Sequence, residues 1–187
     1  MNIKIFNNFI DDRSADLIIN YIDNNLNKFV SYQDDKYRIL LFGKDKYHKE
    51  SIEYLEGIDE IKDLIIEYFN KVINKVKNEF NYNDELYINS FWLAKQSDGS
   101  HLDMHNDSDN GNNTQFKYSC AIYLNDTIKD GELYFPYFNY KYKSIKGDLV
   151  CWPSTEPEYD HCIKKISSTR YAVLFWLTND KDYALNY

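Results

Sequence analysis

The sequence predicts an α+β fold, a jelly roll braced on one face by N-terminal helices. Three observations carry that reading. The first half of the chain holds two amphipathic stretches at helical period, and the second half, from about residue 86, breaks into short β-rich runs between turn signals. The third is bulk: 187 residues, 43% hydrophobic and 17% aromatic, bury a core without disulfide or metal staples and argue against disorder. One domain over 1–187 is expected, with helical support and a flap at 1–85 and the jelly-roll core at 86–180.

Taken in order, "IKIF" reads as a short opening strand. Asp11, Asp12 and Ser14 then offer capping groups for a helix carrying Leu17, Ile18, Tyr21, Ile22 and Leu26 on one face. A second helix over about 59–80 repeats the spacing with Ile61, Leu64, Ile65, Tyr68, Phe69, Val72, Ile73 and Val76. Both stripes read as packing against a sheet. Between them, the polar, Tyr-rich residues 31–50 read as strands or a mobile flap. Beyond residue 86, "LYINSFWLAKQ", "YSCAIYLND", "GELYFPYF", "KYKSI", "GDLVCWPS", "HCIKKI" and "YAVLFWLTN" alternate with Asp-Gly, Lys-Gly-Asp and Pro-Ser breaks, as an antiparallel sandwich or barrel requires.

Composition bounds the function. Lys plus Arg number 22 against 30 Asp plus Glu, a net charge of −8, which argues against a broad phosphate-binding face and so against a nucleic-acid partner. The start has no apolar run fit for a signal peptide, and no window approaches the ~18 apolar residues of a membrane span. Cys120, Cys151 and Cys162 form no CxxC pair and read as buried free thiols of a reducing compartment. A soluble, cytoplasmic protein is the expectation.

The chemistry concentrates in "GSHLDMHNDSD", residues 99–109, which holds His-x-Asp twice: His101/Asp103 and His105/Asp107. On a strand, residues two apart share a face about 6–7 Å apart, so imidazole and carboxylate can converge on one ion. Two histidines and one carboxylate on one face of an octahedron leave three positions for substrates, the donor set of oxygen-activating iron. A second histidine must come from elsewhere, and only His48 and His161 lie outside the stretch. Taken alone, the pattern is weak evidence, and a hydrated acidic loop is the better reading of it. Arg170 is one of three arginines and enters an apolar run. It either sits at the strand mouth paired with a surface carboxylate or reserves its planar fork for a carboxylate ligand.

The series "HNDSD … YSCAIYLND … DGELYFP … KGDLVCWPS", closed by His161 and by Arg170 nine positions later in "RYAVLFW", resembles the iron(II)- and 2-oxoglutarate-dependent dioxygenases, prolyl 4-hydroxylase-like branch, over about residues 86–178. The opening "IKIFNNFIDDRSADLI" resembles that branch's entry strand and first helix. The resemblance implies a double-stranded β-helix and a cofactor set of Fe(II), 2-oxoglutarate and O2, with ascorbate as an optional reductant. It implies that His161 is the distal metal ligand, that Arg170 binds the far carboxylate of 2-oxoglutarate, and that Tyr123 assists it. Gly99, six before His105 as is common in the branch, selects His105 and Asp107 as the other metal ligands. His101 and Asp103, on a straight strand, would line the pocket mouth.

Three departures stand out: Asp130 replaces a glycine, Gln96 replaces a tyrosine that bears on how the near, 1-carboxylate end of the cosubstrate is held, and Trp152, in place of another aromatic, is expected in the core with Trp176. The implied reaction is hydroxylation of an unactivated carbon, most simply of a peptidyl proline, with release of succinate and CO2. The retained Asp107 favours hydroxylation over halogenation. The alternatives are a non-catalytic binding or sensing module, a hydroxylase of a free amino acid or small metabolite and, last, a nucleic-acid demethylase, whose usual second arginine is missing here.

Overall fold

A computed structural model describes residues 1–43, 57–108, 116–127 and 129–187. His48, and with it part of the 31–50 flap and most of the 108–117 loop, lies outside the described residues. The architecture is the expected jelly roll: two antiparallel sheets with two helices against the outer face of the larger one.

Helix α1, Asp12–Asn24, begins where Asp11 caps it, its carboxylate accepting from the Ser14 amide at 3.0 Å and the Ser14 hydroxyl at 2.7 Å. It buries Ala15, Ile18, Tyr21 and Ile22. Leu17, expected on that face, is exposed instead. Positions 15, 18 and 22 already complete a stripe at helical spacing, which turns residue 17 to solvent. Helix α2, Lys62–Glu79, starts after Ile61 and buries Ile65, Tyr68, Phe69, Val72 and Val76.

The larger sheet contains, among the described residues, seven strands. They are β1 (Lys4–Phe6), β2 (Val30–Tyr32), β3 (Asp34–Gly43), β4 (Tyr87–Gln96), β6 (Phe116–Tyr123), β9 (Leu149–Pro153) and β11 (Arg170–Thr178). Their order is β1-β9-β6-β11-β4-β3-β2. The smaller sheet holds β5 (Leu102–His105), β10 (His161–Ile163), β7 (Leu133–Phe135) and β8 (Tyr140–Tyr142), in that order. The part of 31–50 that is described therefore forms strands. The larger sheet is covered on both sides, so β4 is buried along most of its length rather than alternating. One face packs on the helices: Phe69 meets Phe91 and Phe175 edge-on at 5.1 and 5.9 Å, and Phe42 stacks on Phe91 at 4.6 Å. The opposite face looks toward the smaller sheet and carries the site.

Phe69 is fully buried at the centre of that helix–sheet contact. Phe69→Ala is expected to lower stability by about 3–5 kcal/mol, read from the shift of a denaturant unfolding midpoint.

Candidate active site

Between the sheets lies a cavity of about 370 Å³, bordered by His105, Asp107, His161, Arg170, Tyr123 and Tyr37, with aromatic walls that include Trp92, Trp152 and Trp176. Its geometry begins with a pairing irregularity. His105 on β5 faces His161 on β10, and Leu102 faces Ile163. Three residue steps on one strand thus match two on the other. This bulge breaks the alternation of β5, so Leu102 and His105 both turn into the cavity. His101 and Asp103 are not at its mouth, as a straight strand would have them; they border a shallow depression on the outer side. There the Gln33 carboxamide engages both, accepting from the Asp103 amide at 3.1 Å and lying 3.2 Å from His101 Nε2. Upstream, Gly99 takes φ +85°, a conformation that favours glycine, and its amide donates to the Ile166 carbonyl at 2.7 Å.

His105, Asp107 and His161 meet. One ligand atom from each lies within 4.8 Å of the others, with His105 Nε2 3.8 Å from Asp107 Oδ1 and His161 Nε2 3.7 Å from Oδ2. Each ring places Nδ1 on the backbone carbonyl two residues before it, Asp103 for His105 at 2.8 Å and Tyr159 for His161 at 3.0 Å. A carbonyl only accepts, so both Nδ1 atoms carry hydrogen, and Nε2 of each ring is the nitrogen left to face the common centre.

The charges suit a cation there. Burial pushes the His161 pKa down to about 4, against the attraction of Asp107, so the ring is neutral at pH 7. Burial works against ionisation of Asp107, yet its pKa is lowered, because His161, His105, Ser119 and Trp176 together outweigh burial. With His161 neutral its share falls away, and hydrogen-bond donors hold the anion, including the Trp152 indole N–H at 3.2 Å from Oδ2. Trp152 is indeed buried, as expected, but it also acts on the site.

At another wall of the cavity Arg170 is 5% exposed. Its guanidinium donates to the Gly131 carbonyl at 3.2 Å and to Gln96 Oε1, and lies 5.7 Å from the centre of the Tyr123 ring. Neither hydrogen-bond partner is an acid, and among the described residues no carboxylate pairs with this buried arginine. Tyr37 is 1% exposed and stands in register with Gln96, which is itself in register with Arg170. Tyr37 was not legible as a site residue, since nothing in "DDKYRILL" marks which face of β3 meets the cavity.

Residues 91–178 match the 2OG-Fe(II) oxygenase superfamily. The β-rich part of this chain is thus similar in sequence to that superfamily. No curated protein matches the sequence. Among solved structures, the viral collagen prolyl hydroxylase of Paramecium Bursaria Chlorella virus-1, solved as a 2OG complex, is 18% identical with a TM-score of 0.66, covering 97% of both chains. A Pseudomonas putida prolyl-4-hydroxylase is 14% identical (TM-score 0.72, 95% of this chain and 92% of that one). A Trichoplax adhaerens prolyl hydroxylase in complex with a hypoxia inducible factor oxygen degradation domain peptide is 19% identical (TM-score 0.71, 100% and 87%). At these identities the likeness is one of fold. Among the described residues, no helix is long and apolar enough to cross a membrane.

If the indole N–H of Trp152 orients Asp107, Trp152→Phe should weaken binding of a divalent transition metal by about ten-fold or more, measured by calorimetry, with the unfolding midpoint little changed.

Proposed function

We propose that this protein is an Fe(II)- and 2-oxoglutarate-dependent dioxygenase that hydroxylates an unactivated carbon, with a peptidyl proline as substrate. The observation that carries the reading is a single cavity bordered both by a His–Asp–His cluster and by a buried guanidinium with no acid partner among the described residues. The donor set fits ferrous iron: two imidazoles and one carboxylate, all bordering the cavity. His105, Asp107 and His161 would hold the metal, and Arg170 with Tyr123 the distal carboxylate of the cosubstrate. Iron and 2-oxoglutarate, when bound, supply the oxidative chemistry, with O2 as oxidant and succinate and CO2 as products.

The chain's own residues do the rest. Nδ1–H bonds to Asp103 and Tyr159 fix the two rings, while Trp152, Ser119 and Trp176 keep Asp107 ionised and oriented. The aromatic walls exclude water and give a flat apolar surface on which a pyrrolidine ring can lie. A cavity of about 370 Å³ that must hold a keto diacid leaves room beside it for one small side chain. The Trichoplax relative, solved with a peptide, supports an extended peptide as the carrier of that side chain.

Succinate release from 2-oxoglutarate with Fe(II) and O2 tests the reading. Wild-type protein should turn over, His161→Ala should not, and a proline-containing peptide substrate should gain one oxygen by mass spectrometry. Arg170→Ala should raise the 2-oxoglutarate KM by at least about 30-fold, as expected when a buried charge pair loses one partner. Absence of wild-type turnover, or undiminished turnover in His161→Ala, would leave a jelly-roll binding module.

A further inference from the structure

Gln96 is one of the positions where the chain departs from the pattern it resembles, and the structure sets it beside Arg170. Strand β4 pairs with β3 and β11 without interruption from Ser90 to Gln96. Ser90 and Trp92 border the cavity, so the two-residue period carries Gln96 to the same face. Its cross-strand partners there are Tyr37 and Arg170, which both border the cavity. The carboxamide oxygen accepts from Arg170 Nη2, and this fixes the amide orientation, since the reverse would set N–H against N–H. The nitrogen, Nε2, is buried and has no hydrogen-bond partner among the described residues. A buried N–H without an acceptor is costly unless a ligand supplies one. Among the described residues Asp107 is the one carboxylate bordering this cavity, so the corner of Tyr37, Gln96, Arg170 and Tyr123 offers donors in search of an anion.

We infer that Gln96 is a positioning residue for the cosubstrate: its oxygen sets the Arg170 fork and its nitrogen donates to the distal carboxylate of 2-oxoglutarate. This rests on the dioxygenase reading, and the experiment separates the two. Protein loaded with Mn(II) is titrated with 2-oxoglutarate and, separately, with oxalate, which can chelate the metal but has no distal carboxylate; calorimetry reads both. Gln96→Met keeps the length of the side chain and removes donor and acceptor. It should weaken 2-oxoglutarate about ten-fold or more while oxalate stays within about two-fold of wild type. Gln96→Glu places an anion on Arg170 and should all but abolish 2-oxoglutarate binding, again sparing oxalate; it carries the test if the Met variant does not fold. Wild-type affinity for 2-oxoglutarate in the folded variants, or a parallel loss of oxalate, would overturn the role of Gln96. Wild-type protein that binds neither ligand would overturn the dioxygenase reading itself, and this inference with it.

Discussion

Pairing between two short strands, with three steps on β5 set against two on β10, decides what the cavity contains. An unbroken strand would keep His101, Asp103 and His105 on one face, outside or inside together. The bulge divides them: it sends His105 inward to face His161 and leaves Asp103 outside, where its amide meets Gln33. The same turn brings the Asp103 carbonyl under His105 Nδ1. One irregularity therefore supplies both the position of the ring and its tautomer. Bulges next to active sites commonly re-aim a side chain in this way.

The cavity then has two electrostatic poles. Asp107 is buried on one side, and Arg170 on another, yet each is satisfied locally rather than by the other. Among the described residues the buried guanidinium meets only neutral oxygens, and burial lowers the Arg170 pKa. Opposite charges sharing one cavity without contact would collapse together if their side chains were free to move. They are not. His105, Asp107 and His161 are tied to the smaller sheet and the turns around it, whereas Arg170, Gln96 and Tyr37 lie in consecutive register on three strands of the larger one. Rigid strands hold the charges apart, an arrangement that stores affinity for a ligand carrying complementary groups at both ends.

Much of this was legible in the residues. Helical stripes and short β-rich runs gave the layers, because burial against a sheet imposes period on a helix whatever the topology. Leu17 shows the limit: a four-to-five-residue apolar stripe can be drawn two ways, and only the sheet beneath it selects one. His105, Asp107 and His161 were reached through the resemblance together with the spacing of Gly99, which takes a positive φ in the structure. His101 and Asp103 were placed at the mouth because periodicity within a strand cannot reveal a bulge, which belongs to the pairing of two strands almost sixty residues apart. Tyr37 and the bond between Gln96 and Arg170 escaped for the same reason: adjacency across strands is fixed by register, and register is written in no single segment. Trp152 was read as packing alone, since a sequence shows the apolar bulk of an indole but not where its N–H points.

The division of labour between the sheets also bears on what the cavity can select. Stacked sheets stand about 10 Å apart, a spacing set by the side chains that fill the space between them. On the proposed reading, the keto end of the cosubstrate is held from the smaller sheet and its far carboxylate from the larger one. The length of an acceptable diacid is then fixed by how far the sheets stand apart, and not by the reach of any one flexible side chain. Arg170 contributes little adjustment, because its fork is tied to the Gly131 carbonyl and to Gln96, and the Tyr123 ring lies against it. Phe135 and Trp152 pack on the His161 ring at 5.4 and 5.0 Å, so the facing pole is equally constrained. Changes in the packing between the sheets should therefore alter cosubstrate choice even where they touch neither the metal ligands nor the guanidinium, for they move the two poles relative to one another.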